Sequence, residues 1–207
     1  VNAPLSAGTG LTVGASIATH GHEGTAPVSA TFDGGARRVD DEWHSGAGAT
    51  LWYSRVSGPP ICVARAFLAA PLTRNAQLAE AMGGRLAMDL IRACAAPRKT
   101  ARVAGDNLQA VQFCAGTARL HAPPLHAQLD QGLSDAAVEG WRIGWHAVRR
   151  RLNVAADGCA TAGLRWAAHL AASSARSPPA VSIFVQWRHA PRALPDGLLI
   201  PDWPDHD

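Results

Sequence analysis

Four acidic residues stand out by their surroundings: Asp33 in Phe32-Asp33-Gly34, Glu80 in Leu78-Ala79-Glu80-Ala81, Asp106 after Ala104-Gly105, and Asp157 after Ala155-Ala156. Charged residues make up only 17% of the chain, so acids set among apolar and small residues are not general surface decoration. A carboxylate beside core segments is costly unless something pairs with it. Converging carboxylates are hard oxygen donors, and their usual partner is a divalent cation such as Mg²⁺ or Mn²⁺. The bland alternative is a set of helix-start and turn carboxylates, with Asp106 as an N-cap.

Hydrophobic periodicity places each acid on an element. Val28, Ala30 and Phe32 alternate with Ser29, Thr31 and Asp33, a strand that ends at Gly34-Gly35. A polar loop with Arg37, Arg38, Asp40, Asp41 and Glu42 leads to a second strand over 46–54, and Gly58-Pro59-Pro60 turns into a third over 61–68. Such short connections predict an antiparallel meander. The period then becomes helical, with Ala79, Gly83, Leu86, Leu90, Ile91 and Cys94 on one face, Glu80 in the first turns and Pro97 as the stop. A short strand over 100–105 runs directly into Asp106-Asn107 and a helix through Phe113. Pro123-Pro124 precede another helix with Leu125, Leu129, Leu133 and Ala136 on one side. Trp141, Ile143, Trp145 and Ala147 alternate as a fifth strand, and 153–170 forms the last helix, with Asp157 near its start and Ala156, Ala160, Leu164 and Ala167 inward. The order β-β-β-α-β-α-α-β-α predicts an α/β fold: a five-stranded mixed sheet flanked by helices.

At 207 residues the chain suits one domain with additional chain at its ends. Residues 1–26, rich in Gly, Ala, Ser and Thr, read as a flexible arm, 27–172 as the domain, and 173–207 as a linker and extended tail. Within that tail, 181–187 is an isolated apolar run that fits either a sixth edge strand or the start of another domain. The start at Val1 predicts a segment of a longer protein. No apolar run reaches the roughly 18 residues of a membrane span; the best candidate, around 160–172, is cut by Arg165 and His169. With no leader pattern either, the expected setting is intracellular, nuclear or cytoplasmic, with no membrane partner. Net charge is only +3, and Lys99 is the single lysine among 19 basic residues, a compositional bias rather than a nucleic-acid signature. Cys62, Cys94, Cys114 and Cys159 form no C-x-x-C pair and are expected as buried free thiols. His20-x-His22-Glu23 has metal-like spacing but no further ligands nearby. No G-x-S-x-G elbow supports serine chemistry.

Five stretches, in order and on matching elements, resemble the type 1 ribonuclease H family. They are Thr31-Phe32-Asp33-Gly34-Gly35-Ala36 with Gly46-Ala47-Gly48-Ala49; Asn75-Ala76-Gln77-Leu78-Ala79-Glu80; Gly105-Asp106-Asn107; the Trp-rich fifth strand; and Asn153-Val154-Ala155-Ala156-Asp157. The resemblance implies that Asp33, Glu80, Asp106 and Asp157 are catalytic and bind two Mg²⁺ ions, with Mn²⁺ as a substitute. One ion would activate the attacking water and the other would stabilise the leaving oxygen of the RNA strand of an RNA/DNA hybrid. It further implies a mobile-loop histidine as a fifth catalytic group; the family's position holds Ala147, with His146 one residue earlier. Gly34, Gly35, Gln77, Asn107, Arg150 and Asn153 fall at the family's substrate-binding positions, although Gln77 and Ala76 stand where paired Asn residues are common. The Ala- and Arg-rich style also resembles ribonuclease H domains of non-LTR retrotransposon polyproteins, which implies an adjacent reverse-transcriptase domain as partner.

Plain structural readings compete at several of these positions. The run Arg149-Arg150-Arg151 is either a phosphate-holding run or a solvated turn. Gly34-Gly35 either lets backbone approach the RNA strand or makes a β-turn, and His146 is either a proton shuttle or a satisfied strand residue. Trp141, Trp145 and Trp166 lie on core-facing patterns, which leaves Trp43 as the candidate for an exposed stacking contact. Two other function classes compete: an inactive scaffold of the same fold that binds nucleic acid or protein, and a nuclease of that fold acting on DNA.

Overall fold

In a computed structural model that describes residues 28–39, 41–54, 57–70, 74–94, 99–119, 139–173 and 182–187, the chain opens with a long antiparallel hairpin of β1 (Val28–Val39) and β2 (Glu42–Tyr53). Both strands run further than alternation predicts. Gly34 and Gly35 sit mid-strand opposite Ala47 and Gly46, and Arg37 and Arg38 pair with His44 and Trp43 instead of forming a loop. The β1–β2 pairing runs without a break from Val28↔Tyr53 to Val39↔Glu42, and its ladder hydrogen bonds outweigh the poor strand propensity of glycine. The turn is made at Asp41, whose φ of 66° is a left-handed conformation that Asp tolerates.

The third strand, β3 (Ile61–Ala70), continues the meander. Helix α1 (Ala76–Ala93) follows, started by Asn75, whose Oδ1 accepts the Leu78 N–H at 3.3 Å. Then come β4 (Thr100–Gly105), α2 (Leu108–Cys114), β5 (Arg142–Ala147), a 3-10 turn at Arg150–Leu152 and α3 (Val154–Ser173). A sixth strand, β6 (Ser182–Trp187), pairs with β3 from Ala64↔Trp187 to Ala69↔Ser182. The stretch expected as linker and tail therefore extends the sheet, because β3 presents an unpaired edge that an apolar segment can satisfy. The sheet order is β5-β4-β1-β2-β3-β6, parallel between β1, β4 and β5 and antiparallel elsewhere. The expected helix around Leu125–Ala136, the arm at 1–26 with His20, His22 and Glu23, and the tail beyond 187 lie outside the described residues.

Helices α1 and α2 cover one face of the sheet over the main core of Phe32, Leu51, Leu86, Ile91, Val103 and Phe113. Helix α3 covers β1–β3 on the other face, with Phe67, Cys159, Ala162 and Trp166 between them. The second seam is tight: a Cβ on Gly48 would stand 2.3 Å from the backbone nitrogen of Ala160. Trp141 and Trp145 pack on the main core, Trp145 meeting Phe32 edge to face at 6.1 Å, and Trp166 packs on the second cluster, so all three are structural. No helix of the described residues is long and apolar enough to cross a membrane.

All four cysteines are free and buried. Burial pushes the Cys114 and Cys159 thiols up to about 12, which suppresses the reactive thiolate. Iodoacetamide at pH 8 is therefore expected to leave the folded chain unmodified and to label all four thiols in guanidinium. Mass spectrometry would read this directly, and rapid labelling of the native chain would contradict it.

Candidate active site

The register of two parallel strands builds the site. The last rung between β1 and β4 pairs Phe32 with Gly105, so the next residues, Asp33 within β1 and Asp106 just past the end of β4, emerge side by side where the parallel pairing stops. Helix α1 lies against β1 so closely that a Cβ on Gly83 would stand 2.3 Å from the Asp33 carbonyl oxygen, and one on Gly34 would stand 2.2 Å from the Ala79 carbonyl. That backbone contact carries Glu80 to the same spot. Carboxylate oxygens of Asp33, Glu80 and Asp106 all lie within 4.8 Å of one another. Asp157 stands in the first turn of α3, where the helix N-terminus favours negative charge. Its side chain hydrogen-bonds Asp33 but stays outside the three-way cluster.

The shell around the acids is polar and specific. Asn107 accepts the Gln109 and Ala110 N–H groups at 3.0 and 3.2 Å as the cap of α2, and its side chain also hydrogen-bonds Glu80. The Asn153 amide donates to the Phe32 carbonyl at 2.8 Å and to Asp106 Oδ1 at 3.3 Å. Arg150 Nε donates to Asp106 Oδ2 at 3.0 Å. These contacts do not satisfy the cluster: Asp33 Oδ1 and Glu80 Oε2 are buried without a hydrogen-bond partner among the described residues. Burial, then the charges of Glu80 and Asp106 and the hydrogen bond with Asp157, push the Asp33 carboxyl up to about 8. Burial and Asp106 push Glu80 up to about 7, against the hydrogen bond from Asn107 and the charge of Arg150. Neighbouring buried carboxylates cannot all ionise at neutral pH without a further positive charge among them.

No family model and no curated protein matches the chain. Solved structures do. The N-terminal ribonuclease H domain of a Mycobacterium tuberculosis protein, solved as a maltose-binding-protein fusion, matches at 23% identity over 71% of this chain and 99% of that one, with a TM-score of 0.51. Ribonuclease H1 of the halophilic archaeon Halobacterium salinarum matches at 20% identity over 67% and 98%, with a TM-score of 0.53. LC11 ribonuclease H1, solved in complex with an RNA/DNA hybrid, matches at 16% identity over 68% and 99%, with a TM-score of 0.55. The chain has the ribonuclease H fold. On this ribonuclease H fold the donor set suits a divalent cation: the donors are hard carboxylate oxygens, and two of them are buried without a partner among the described residues.

The ribonuclease H fold places the other expected residues unevenly. Two of the residues expected at substrate-binding positions are buried. Gly34 faces the backbone of α1, so its missing side chain serves helix packing, and Asn153 is only 1% exposed, committed to Phe32 and Asp106. Gly35 has open space where a Cβ would be, and Gln77 is at the surface, its amide donating to Gln109 Oε1. His146 is exposed on β5, and its ring folds back over Gly144 rather than lining the cleft at the acids. That cleft, about 490 Å³, is lined by Glu80, Asp106, Asn107, Leu108, Gln109 and Arg150. Gln109 and Leu108 are additions. Their signal is position alone: the first turn of a helix that starts two residues after a clustered acid must face the same opening.

Proposed function

We propose that this chain is a divalent-metal-dependent endoribonuclease that cuts the RNA strand of RNA/DNA hybrids. The observation that carries the reading is the convergence of Asp33, Glu80 and Asp106, two of them with orphaned buried oxygens, where the parallel pairing of β1 and β4 ends in a ribonuclease H fold. Asp33, Glu80 and Asp106 would hold the metal, with Asp157 at its border. Two Mg²⁺ ions, or Mn²⁺ in their place, would polarise the scissile phosphodiester and the attacking water.

The chain's own residues do the positioning. Asn107 and Asn153 hold Glu80 and Asp106 by hydrogen bonds, so the acids meet the metal preorganised. Gln77 and Gln109 stand at the edge of the cleft with amide groups suited to base and sugar edges in the wide minor groove of an A-like duplex. Gly35 leaves room for the RNA backbone to pass, and Arg150 offers a guanidinium to a phosphate. His146 would serve proton transfer only after moving off Gly144. The catalytic unit is 27–172, completed at its sheet edge by β6, and the natural source of hybrid is a reverse-transcriptase domain of the same retroelement polyprotein.

The test is cleavage of a labelled RNA/DNA hybrid with Mg²⁺ beside RNA/RNA, DNA/DNA and single-stranded RNA, using wild type and Asp106→Asn. Cleavage confined to the hybrid and reduced by about a hundredfold or more in the variant is expected. No cleavage of any substrate by a folded chain with either Mg²⁺ or Mn²⁺ would favour a scaffold role. Cleavage of DNA instead would keep the fold and overturn the substrate.

A further inference from the structure

One short loop grips both oxygens of Asp106, and the two grips differ in kind. Asn153 holds Oδ1 from inside the protein: it is 1% exposed, and its amide also binds the Phe32 carbonyl, so it cannot let go without disturbing the start of α3. Arg150 holds Oδ2 from outside, with a side chain that is 77% exposed and makes no second side-chain hydrogen bond among the described residues. Its charge reaches the whole cluster. Asp106, Asp33 and Asp157 all favour the charged guanidinium, which in turn opposes the upward push on Glu80.

From this asymmetry we infer that Arg150 is the resident counter-ion of the carboxylate site, occupying Asp106 until a divalent cation replaces it and then holding a phosphate of the nucleic acid. The inference rests on the proposed metal-dependent reading of the same site. The guanidinium is 77% exposed, so water takes it up when it lets go, whereas Asp106, at 8%, needs a replacement charge, which a doubly charged cation in contact with several carboxylates supplies more strongly. Once released, the guanidinium keeps its place at the mouth of the cleft, tethered by the Arg150–Leu152 turn. Its planar fork suits two phosphate oxygens at once, which lysine cannot match. Asn153 stays behind as the fixed positioning residue for Asp106.

The decisive measurement needs no catalysis. Mn²⁺ binding to the full chain without nucleic acid is followed by calorimetry for wild type, Arg150→Gln and Arg150→Lys, with thermal melts to establish that each is folded. Arg150→Gln is expected to bind Mn²⁺ about three- to tenfold more tightly, the range for losing one partly exposed competing charge pair. Arg150→Lys, which keeps the charge, stays near wild type. On a labelled hybrid, Arg150→Gln raises KM by about threefold or more, and its log–log salt dependence flattens by about 1 for the lost phosphate contact. Unchanged or weaker Mn²⁺ binding in Arg150→Gln overturns the counter-ion role. Tighter Mn²⁺ binding with unchanged KM overturns the phosphate role. A folded wild type that binds no Mn²⁺ sinks the metal-dependent reading itself, whereas a wild type that binds Mn²⁺ and cuts hybrid while Arg150→Gln matches it in both assays sinks only this inference.

Discussion

Asp33→Asn is expected to abolish hybrid cleavage and, at the same time, to make the metal-free chain more heat-stable at pH 8. The two effects have one cause. Asp33 is 2% exposed, and burial together with Glu80 and Asp106 raises its carboxyl from the usual range to about 8. A group whose pKa is raised by folding contributes stability that is complete below its unfolded value near 4 and is lost as pH climbs through the folded value. Between about pH 4 and 8 the metal-free wild type therefore loses stability at this site with each step in pH, by up to about 1.4 kcal/mol per unit. The neutral isostere avoids that loss and can donate to Glu80. A net gain of about 2 kcal/mol would appear as a rise of about 4–8 °C in the melting temperature in EDTA at pH 8, shrinking to nothing near pH 4. Excess Mg²⁺ should reverse the order, because cation binding stabilises the wild type more than a variant lacking one ligand. Melting curves in EDTA at pH 4, 6 and 8, repeated with Mg²⁺, measure all of this. A variant that melts at or below wild type at every pH in EDTA would show that the acids at this site are already neutralised from within the protein.

The acids were legible in the sequence because their cost is legible. A carboxylate next to Phe32, Ala79, Gly105 or Ala156 has no reason to be there unless something compensates it, and strand and helix periodicity put all four at element ends where they can meet. The resemblance to ribonuclease H then ordered them into one site. Harder to read were residues whose role is set by a partner far along the chain. Gly34-Gly35 carries the local signature of a strand end, yet the hairpin register with Ala47 and Gly46 runs through it. The missing side chain at Gly34 makes sense only once α1 is laid across β1. Asn153 sits in a polar stretch that suggests surface, but its amide reaches Phe32, 121 positions earlier, and is buried by that contact. Strand β6 depends wholly on an edge offered by β3, so its apolar run carried no signal to separate a sixth strand from a new domain. Pairings of this range are fixed by tertiary geometry, which local pattern does not encode.

Gly83→Ala puts the helix–strand seam to the test, and two general rules predict opposite outcomes. In the interior of a helix, alanine is favoured over glycine by about 1 kcal/mol, so propensity alone predicts a more stable protein. The space around Gly83 predicts the reverse. An added Cβ would lie 2.3 Å from the Asp33 carbonyl oxygen and 3.2 Å from its backbone nitrogen. Both are main-chain atoms of a central strand and have no rotamer to escape into, so relief requires α1 to lift away from β1. Forced shifts of this kind typically cost about 1–3 kcal/mol, and more where the obstacle is backbone. We expect the clash to win, with a net loss of about 2 kcal/mol in urea unfolding. The functional effect should be larger than the structural one. Glu80 stands one turn before Gly83 on the lifted helix, and a displacement of about 1 Å in a catalytic group can cost about a hundredfold in rate. Gly35→Ala is the matched control for stability, since a Cβ there meets nothing within 4 Å. If Gly83→Ala proved at least as stable as wild type with Mn²⁺ affinity intact, the close contact of α1 with β1 could not be what holds Glu80 beside Asp33. The carboxylate shell of Asn107, Asn153 and Arg150 would then have to carry the placement of the acids by itself.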